Sequence, residues 1–244
     1  MKKSSLLLVV AVVVMCGFLI AHNNSLKAAY LTNEYRNPLR NFVPVDIKDF
    51  DEIDLNSSFF ANARIVRGDY KVMLLKSALK YIHINRVGGR LVVNSDYIES
   101  RNSLTRGYTV YISCPGIKNL NLKNEYTKEG KLVTDSVSYW PEYYRSSLTG
   151  FTFDSMNIYQ DNGCALILDS NNIGKLNHYL GKTIASSSVL TLASGNKIKS
   201  LFLDTRNNSI VTLGCTVDSL RYNLDDSAEI RFSGFVYKKL HKSK

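Results

Sequence analysis

Side chains that could carry out acid–base or nucleophilic chemistry are few in this 244-residue sequence, and they are dispersed. Nucleophilic catalysis requires a base beside the nucleophile, and no motif of that kind surrounds His83, His178 or His241. His83 alternates with Ile82 and Ile84, which predicts that its side chain faces away from the core. No second histidine and no Cys-x-x-Cys pair stands at the spacing of metal ligands. The sequence therefore predicts a protein that is not an enzyme and that has no cofactor and no metal site.

Aspartates near the ends of predicted strands are the main candidates for catalysis. They are Asp154, Asp169, Asp204, Asp225 and Asp226. Residues one repeat apart in stacked strands lie about 4.8 Å from each other, so these carboxylates could form a column. Two of them in one groove could cleave a glycosidic bond. We favour the simpler interpretation, in which aspartates occupy turns because their side chains bond the local backbone.

An aromatic segment is the best candidate for ligand binding. It contains Tyr139, Trp140, Tyr143 and Tyr144, including the only tryptophan of the chain. Aromatic rings of this kind could stack on sugar rings or dock a partner. The simpler alternative is that these rings cover an open end of a stack of strands, which such a stack needs for stability.

Cysteine usage gives no sign of a redox or metal centre. Cys114, Cys164 and Cys215 are three in number after the leader, so at least one must be free or bridged to another chain. We predict that these three are small buried hydrophobes. Cys16 lies in the leader, where lipidation is a minor alternative.

The N-terminus predicts export. Lys2 and Lys3 precede an apolar run from Leu6 to Ala21, sixteen residues long, as in a secretory signal. We interpret residues 1–28 as a signal peptide or an N-terminal membrane anchor, which places the protein in the cell envelope, in the periplasm or at the cell surface. Residues 29–45 are predicted to be a linker.

The net charge is +10, but the basic residues are scattered and form no stripe. A nucleic-acid partner is therefore not expected. The simplest role of the charge is solubility, which we favour; the alternative is a partner at the cell envelope, such as an anionic glycan, a lipid headgroup, another cell-surface glycan or an envelope protein. Contact with the membrane through the N-terminal segment, if it is uncleaved, and homo-oligomerisation are further possibilities.

Short apolar strands repeat in the second half of the chain. Aligning Leu166, Leu190, Val211 and Ile230 gives intervals of 24, 21 and 19 residues, with small polar turns between them. A second set of strands alternates with the first and covers Lys175–Leu180, Lys199–Asp204 and Ser219–Leu224. A period near twenty is typical of a β-solenoid.

The first half is also rich in predicted strands, and Gly68-Asp69 predicts a hairpin between two of them. We predict an all-β chain with one domain over residues 46–237 and a basic tail over residues 238–244. The parts of that domain are N-terminal strands over 46–122, a polar and aromatic excursion over 123–150, and solenoid repeats over 151–237.

The order of strand motifs resembles a known family. The motifs are Phe50-x-x-Ile53-x-Leu55, Ile65-Val66-x-Gly68-x-Tyr70-x-Val72-x-Leu74, Gly89-x-Leu91-x-Val93 and Val110-x-Ile112-x-x-Pro115-x-Ile117-x-x-Leu120. Over residues 47–235 the chain is similar to the auto-transporter adhesin head GIN domain, a domain of unknown function. The resemblance implies a leader followed by a body like a right-handed β-helix. The family has no defined catalytic residues, so none is transferred.

Three functions follow from these patterns. The favoured one is an exported, envelope-associated, non-enzymatic binding or adhesion domain of unknown ligand. The alternatives are a carbohydrate-active β-helix enzyme that uses the aspartates, and a structural envelope protein that assembles through edge strands. Fold alone does not choose among them.

Overall fold

A computed structural model describes residues 3–31, 36–98, 107–137 and 144–236 of the chain. The chain divides into two units, Met1–Phe42 and Val43–Lys244. The first unit contains the helix α1, Lys3–Leu31. Its segment Ser5–Ala28, 24 residues long, is long and apolar enough to cross a membrane. The helix α1 is longer than the predicted apolar run, which ends at Ala21, because the more polar residues that follow are also helical.

The second unit consists mainly of strands, with one 3-10 turn at Lys76–Ala78 and a single helical turn at residues 234–236. The strands are β1 (Phe42–Val45), β2 (Glu52–Leu55), β3 (Ala63–Arg67), β4 (Lys71–Leu75), β5 (Ile82–Val87), β6 (Arg90–Ser95), β7 (Val110–Cys114), β8 (Asn119–Leu122), β9 (Glu125–Lys128), β10 (Lys131–Thr134), β11 (Ser146–Thr149), β12 (Thr152–Gln160), β13 (Ala165–Asp169), β14 (Asn172–Leu180), β15 (Val189–Leu192), β16 (Lys197–Thr205), β17 (Ile210–Leu213), β18 (Val217–Leu224) and β19 (Glu229–Phe232).

The strands form two large sheets and a small one. The nine-stranded sheet has the order β1-β4-β7-β3-β11-β13-β15-β17-β19, and the eight-stranded sheet has the order β18-β16-β14-β12-β8-β2-β6-β5. From β12 onward, successive strands alternate between the two sheets, and neighbours within a sheet are parallel. The pairs β4–β7, β5–β6 and β9–β10 are antiparallel, so both large sheets are mixed.

The register confirms the alignment drawn from the sequence. Leu166 is paired with Leu190, Leu190 with Val211, and Val211 with Ile230. The first three side chains are at most 1% exposed. Period-two alternation therefore places one residue type in the core and its neighbour on the outer face, in strand after strand. The same rule gives the eight-stranded sheet a buried row, which consists of Ile158 on β12, His178 on β14 and Leu203 on β16.

Asparagines hold the turns between repeats. The Asn171 amide donates to the side-chain oxygen of Asn196 at 3.0 Å and to the carbonyl of Leu148 at 2.9 Å. The Asn196 amide donates in turn to the carbonyl of Leu168 at 2.7 Å. Both asparagines are buried, so these bonds satisfy their own amide groups and join the turns of neighbouring repeats.

Three local predictions differ from the structure. The hairpin at Gly68-Asp69 is wrong, because β7 lies between β3 and β4 and pairs with both. Residues 146–149, assigned to the excursion, form β11 within the nine-stranded sheet. The predicted linker overlaps the end of α1 and all of β1. The remaining excursion contains the separate β9–β10 hairpin.

Candidate functional site

The aromatic segment chosen from the sequence lies only partly within the described residues. Three of its members are outside them: Tyr139, Trp140 and Tyr143. Tyr144 is half-buried, and its ring meets Phe59 edge-on with the centroids 5.4 Å apart. Both rings belong to a small apolar cluster with Phe60 and Ile98. Tyr144 therefore contributes to packing, while a binding role for the other three aromatics stays a prediction.

The histidines occupy two opposite environments. His83 is exposed, as predicted, and its Nε2 lies 3.0 Å from a carboxylate oxygen of Asp96. His178 is fully buried, and neither of its ring nitrogens has a hydrogen-bond partner among the described residues. Burial lowers the pKa of His178 to about 3, so the ring is neutral at physiological pH. His241 lies outside the described residues.

The five aspartates considered for catalysis do not share one groove, although Asp204 and Asp225 both lie near Arg206. Asp169 lies on the nine-stranded sheet, whereas Asp154 and Asp204 lie on the eight-stranded sheet. The register places Asp204 opposite Tyr179, which is paired with Tyr159, five positions beyond Asp154. Asp154 and Asp204 are thus roughly 16 Å apart along the strand direction alone. That separation exceeds what glycosidic cleavage by paired carboxylates requires.

The aspartates at the β18–β19 turn serve the backbone and a neighbouring arginine. The Asp225 carboxylate accepts hydrogen bonds from the N–H groups of Asn207 at 3.2 Å and of Asp226 at 2.8 Å. Arg206 donates to Asp204 at 3.1 Å, and this bond, with a further contribution from Asp225, raises the pKa of the guanidinium. Their role in turns is the one favoured from the sequence.

The three cysteines of the body are free and buried, as predicted. Burial raises the pKa of the Cys114 thiol to about 12, and it also raises the pKa values of Cys164 and Cys215. A thiol with a raised pKa is a poor nucleophile because little thiolate forms. Within the described ranges, no group of three or more His, Cys, Asp or Glu side chains could hold a metal ion.

The outer face of the eight-stranded sheet carries an aromatic row formed by Tyr159 on β12, Tyr179 on β14 and Phe202 on β16. The two tyrosine rings are stacked, with centroids 4.9 Å apart and planes at 7°. Phe202 meets Tyr179 edge-on at 5.9 Å. Tyr159 is 46% exposed, whereas the other two rings are half-buried. The row thus ends in one ring that is open to solvent.

One face of the Tyr159 ring is covered by Tyr179, and its other side borders a shorter residue. The register partner of Tyr159 on β8 is Asn121, whose side chain cannot cover an aromatic ring. The Asn121 amide donates to Asp54 at 2.5 Å, so a fixed polar group lies beside the ring. An open aromatic face next to oriented amide and carboxylate groups suits a ligand that is part apolar and part hydroxylated.

An asparagine row runs beside the aromatic row. It consists of Asn119, Asn157 and Asn177, which occupy register positions on β8, β12 and β14. The Asn177 amide donates to Asn157 at 2.9 Å, and the Asn157 amide donates to Asn119 at 3.1 Å. Asn119 donates in turn to Glu52 at 2.8 Å. The chain of bonds fixes the orientation of each amide on the open face.

The same face ends in an open cleft of about 530 Å³ around Arg90. The Arg90 guanidinium lies 3.0 Å from Glu52 and 3.2 Å from Asp54, and these carboxylates raise its pKa. Nearby, Lys118 lies 2.6 Å from Asp51 and lowers the pKa of that carboxyl. Three carboxylates and two cations are therefore paired along the cleft, and all of them are hydrogen-bonding groups.

Sequence reasoning missed the aromatic row, although a signal was present. Asn157-Ile158-Tyr159 and Asn177-His178-Tyr179 repeat one pattern twenty residues apart. In strands paired in parallel at that interval, the outer asparagines and tyrosines must become neighbours, as they do. Phe202 follows the pattern less closely because Asp204 occupies the tyrosine position of the third strand.

Comparisons with known proteins give structural neighbours only. No family model matches the chain, and no curated protein matches it. A solved structure described as a "putative adhesin" from Bacteroides fragilis NCTC 9343 is 12% identical, with a TM-score of 0.45 over 78% of this chain and 93% of that chain. A "putative lipid binding protein" from Parabacteroides distasonis ATCC 8503 is 12% identical, with a TM-score of 0.36 over 79% and 94% of the two chains.

A further "putative adhesin" from Parabacteroides distasonis ATCC 8503 is 9% identical, with a TM-score of 0.33 over 79% of this chain and 96% of that chain. At these levels of identity and structural agreement, the neighbours carry no argument about activity or family. The resemblance to the head GIN domain therefore stays an expectation from the sequence.

Proposed function

We propose that the chain is an exported, envelope-associated binding domain without catalytic activity, and that it binds a glycan on the outer face of the eight-stranded sheet. The observation that carries the proposal is the open ring of Tyr159 beside the fixed amide of Asn121. A pyranose ring has an apolar face that stacks on an aromatic ring and hydroxyl groups that bond to amides and carboxylates. The surroundings of Tyr159 offer both kinds of contact on one face.

The scaffold supports binding by keeping this face rigid. Tyr159 lies within β12, which is paired along its length with β14 and also with β8. Stacking against Tyr179 and the bonds of the asparagine row restrict the outer side chains before any ligand arrives. A surface that is already ordered loses less conformational entropy on binding, so a shallow face can still bind measurably.

Export is part of the same proposal. Lys2 and Lys3 precede an apolar helix that is long enough to cross a membrane, as in a signal peptide or an anchor. A protein of the cell envelope meets surface glycans and other envelope proteins, and the excess of carboxylates in the Arg90 cleft favours a hydroxylated ligand over a nucleic acid. Cofactors and metals have no place in this function.

The proposed architecture is a right-handed β-solenoid of the head GIN type. Its support is the alternation of successive strands between two sheets and the in-register parallel pairing from β12 to β19. A stack of this kind presents long rows of equivalent side chains on each outer face. Such rows are the setting in which the asparagine and aromatic rows form.

The test is a binding screen of the full chain in detergent against an array of neutral and acidic oligosaccharides. We expect Tyr159→Ala to weaken binding to any bound oligosaccharide about tenfold, equivalent to about 1.4 kcal/mol. Tyr111→Ala is the matched control, because Tyr111 is a half-buried tyrosine on β7 of the other large sheet. Trp140→Ala, measured in parallel, tests the segment that the sequence singled out.

Equal binding by Tyr159→Ala and the unchanged protein would refute the site. The absence of binding across the array would refute the glycan itself. Circular dichroism of each variant, recorded before the screen, separates lost binding from lost folding.

A further inference from the structure

Both large sheets end at the same pair of repeats. Within the described residues, β18 is the last strand of the eight-stranded sheet and β19 the last strand of the nine-stranded sheet, and each is paired on one side only. An edge strand presents backbone N–H and C=O groups in the geometry that another strand can bind. The two edges follow each other in sequence across the turn at 225–227.

On these two strands, side chains at the register positions of the core are exposed to solvent. On β16, Leu203 and Thr205 are fully buried. Their register partners on β18 are Tyr222 and Leu224, respectively. Yet Tyr222 is 56% exposed and Leu224 is 44% exposed. On β19, Phe232 is also exposed, although its partner on β17 is buried. A contiguous apolar surface of this kind marks an interaction site.

The opposite edges are protected in the usual ways. The edge strand β1 contains Pro44, which has no N–H to offer to a further strand. The edge strand β5 is joined to β6 by the Gly88-Gly89 turn and exposes the polar side chain of His83 and the charged side chain of Arg86. The β18–β19 end therefore differs from the other end in having core residues at its open edge.

The sequence of this end is self-complementary about a single point. Tyr222 and Ile230 are each four residues from Asp226 in the turn, and each continues a row of its own sheet whose preceding members, Leu203 and Val211, are buried. A twofold axis through both residues would pair each strand with its own copy in antiparallel orientation. On β18, Leu220 would then lie opposite Leu224 of the second copy, and both occupy register positions that are buried in the preceding strand.

The charges agree with the same axis. On β19, Glu229 would lie opposite Arg231 of the second copy, and Arg231 opposite Glu229 of the second copy. In one chain these two side chains already form an ion pair at 2.7 Å on the outer face. With this axis, two pairs of opposite charges face each other between the β19 strands of the two copies. Opposite charges at directly facing positions stabilise antiparallel pairs.

We propose that two copies of this chain associate through β18 and β19, end to end, about a twofold axis through Tyr222 and Ile230. Both large sheets continue across the interface, and the exposed core row of each copy is covered by the other. Because the same surface is used by both copies, the assembly closes at two rather than growing into a fibre.

The test is the mass of the full chain in detergent, measured by light scattering after gel filtration over a range of concentrations. We expect a dimer whose dissociation constant rises at least tenfold in Arg231→Glu, because like charges then oppose each other at two places. The double variant Glu229→Arg/Arg231→Glu restores unlike pairs, so we expect it to recover the dimer. Circular dichroism shows whether each variant is folded.

A second measurement locates the axis. In a Cys16→Ser background, Tyr222→Cys places two thiols at directly opposite positions in the dimer, at a separation that a disulfide can bridge. We expect a covalent dimer under mild oxidation with Tyr222→Cys but not with Val87→Cys on β5, which is also exposed. Failure to cross-link Tyr222→Cys would overturn the proposed axis.

Three outcomes of the mass measurement would overturn the proposal. One is a monomer throughout. Another is a dimer that is indifferent to both charge variants, which would point to association through α1. The third is a monomer that dimerises only when residues 237–244 are removed, which would assign the edge to that segment of the same chain.

Discussion

Acidification should destabilise the body of the protein through one residue, His178. Its side chain is fully buried between the register partners Ile158 and Leu203, and its pKa is lowered to about 3. In the unfolded chain a histidine has a pKa of about 6.5. The unfolded state therefore binds a proton at pH values at which the folded state does not. Stability is unaffected above about pH 6.5 and falls as the pH decreases from there toward 3.

The magnitude follows from the gap between the two pKa values. Each pH unit below the unfolded pKa costs about 1.4 kcal/mol while the folded histidine stays neutral. From pH 6.5 to pH 5 the loss in the free energy of unfolding is about 2 kcal/mol. The variant His178→Leu has no group to protonate, and it fits a row whose neighbours are aliphatic, so this loss should disappear in the variant.

The assay is urea denaturation at pH 7 and pH 5. The fragment 36–244 is suitable, because residues 43–244 form a compact unit with their own core. The quantity of interest is the change between the two pH values, which removes any constant effect of the substitution. His83→Gln is the control, because it removes an exposed histidine and leaves the buried His178 in place. An equal decrease in the free energy of unfolding between pH 7 and pH 5 in His178→Leu and in the unchanged protein would refute the reasoning.

Further predictions concern the core, the aromatic segment and the thiols. Val211→Asp should destabilise the body by roughly 3–5 kcal/mol, because it places an unpaired charge at a fully buried position; an unchanged thermal melt would contradict the inward assignment. Trp140→Ala should leave the melting temperature unchanged if the aromatic segment is a binding surface, whereas a large decrease would support a packing role. The three cysteines of the fragment should react with iodoacetamide at pH 8 only after unfolding, because burial raises their pKa values; rapid labelling of the folded fragment, followed by mass spectrometry, would contradict this.

The repeating part of the fold was predictable because its signals are local and regular. Apolar alternation gives each strand a buried side, and small polar turns set the interval. Aligning Leu166, Leu190, Val211 and Ile230 was sufficient to obtain the observed register of four strands. Each strand pairs with the strand one repeat away, so no distant pairing had to be known.

Pairing between distant segments was not predictable in the same way. The turn signal at Gly68-Asp69 is genuine, but β7 begins about forty residues later in the sequence and separates the two strands that the turn joins. The strand β11 was missed because its sequence, Ser-Ser-Leu-Thr, has a single large apolar residue. Ser146 is fully buried there and accepts a hydrogen bond from the N–H of Ala63, so a polar side chain occupies a core position.

The candidate site was missed for a related reason. Local density of aromatic residues drew attention to Trp140 and its neighbours, whereas Tyr159, Tyr179 and Phe202 are dispersed in the sequence and meet only across strands. The repeated Asn-x-Tyr pattern predicts that two of them are neighbours when the outer positions are aligned in the same register as the inner ones.

Inner and outer positions of the same strands are under different physical demands, and this difference is the main reason to place function on the outer face. An inner row must exclude water, so its members are aliphatic, and even His178 is held there without its charge. An outer row needs only to tolerate water. The asparagine row nevertheless carries a continuous set of side-chain hydrogen bonds over three strands, and the aromatic row places large apolar rings where burial does not require them. Cross-strand stacking explains Tyr179, which is covered on both sides, but it leaves one side of Tyr159 open. That open ring, rather than the presence of aromatic residues, is what distinguishes a binding surface from a stabilising ladder on this sheet.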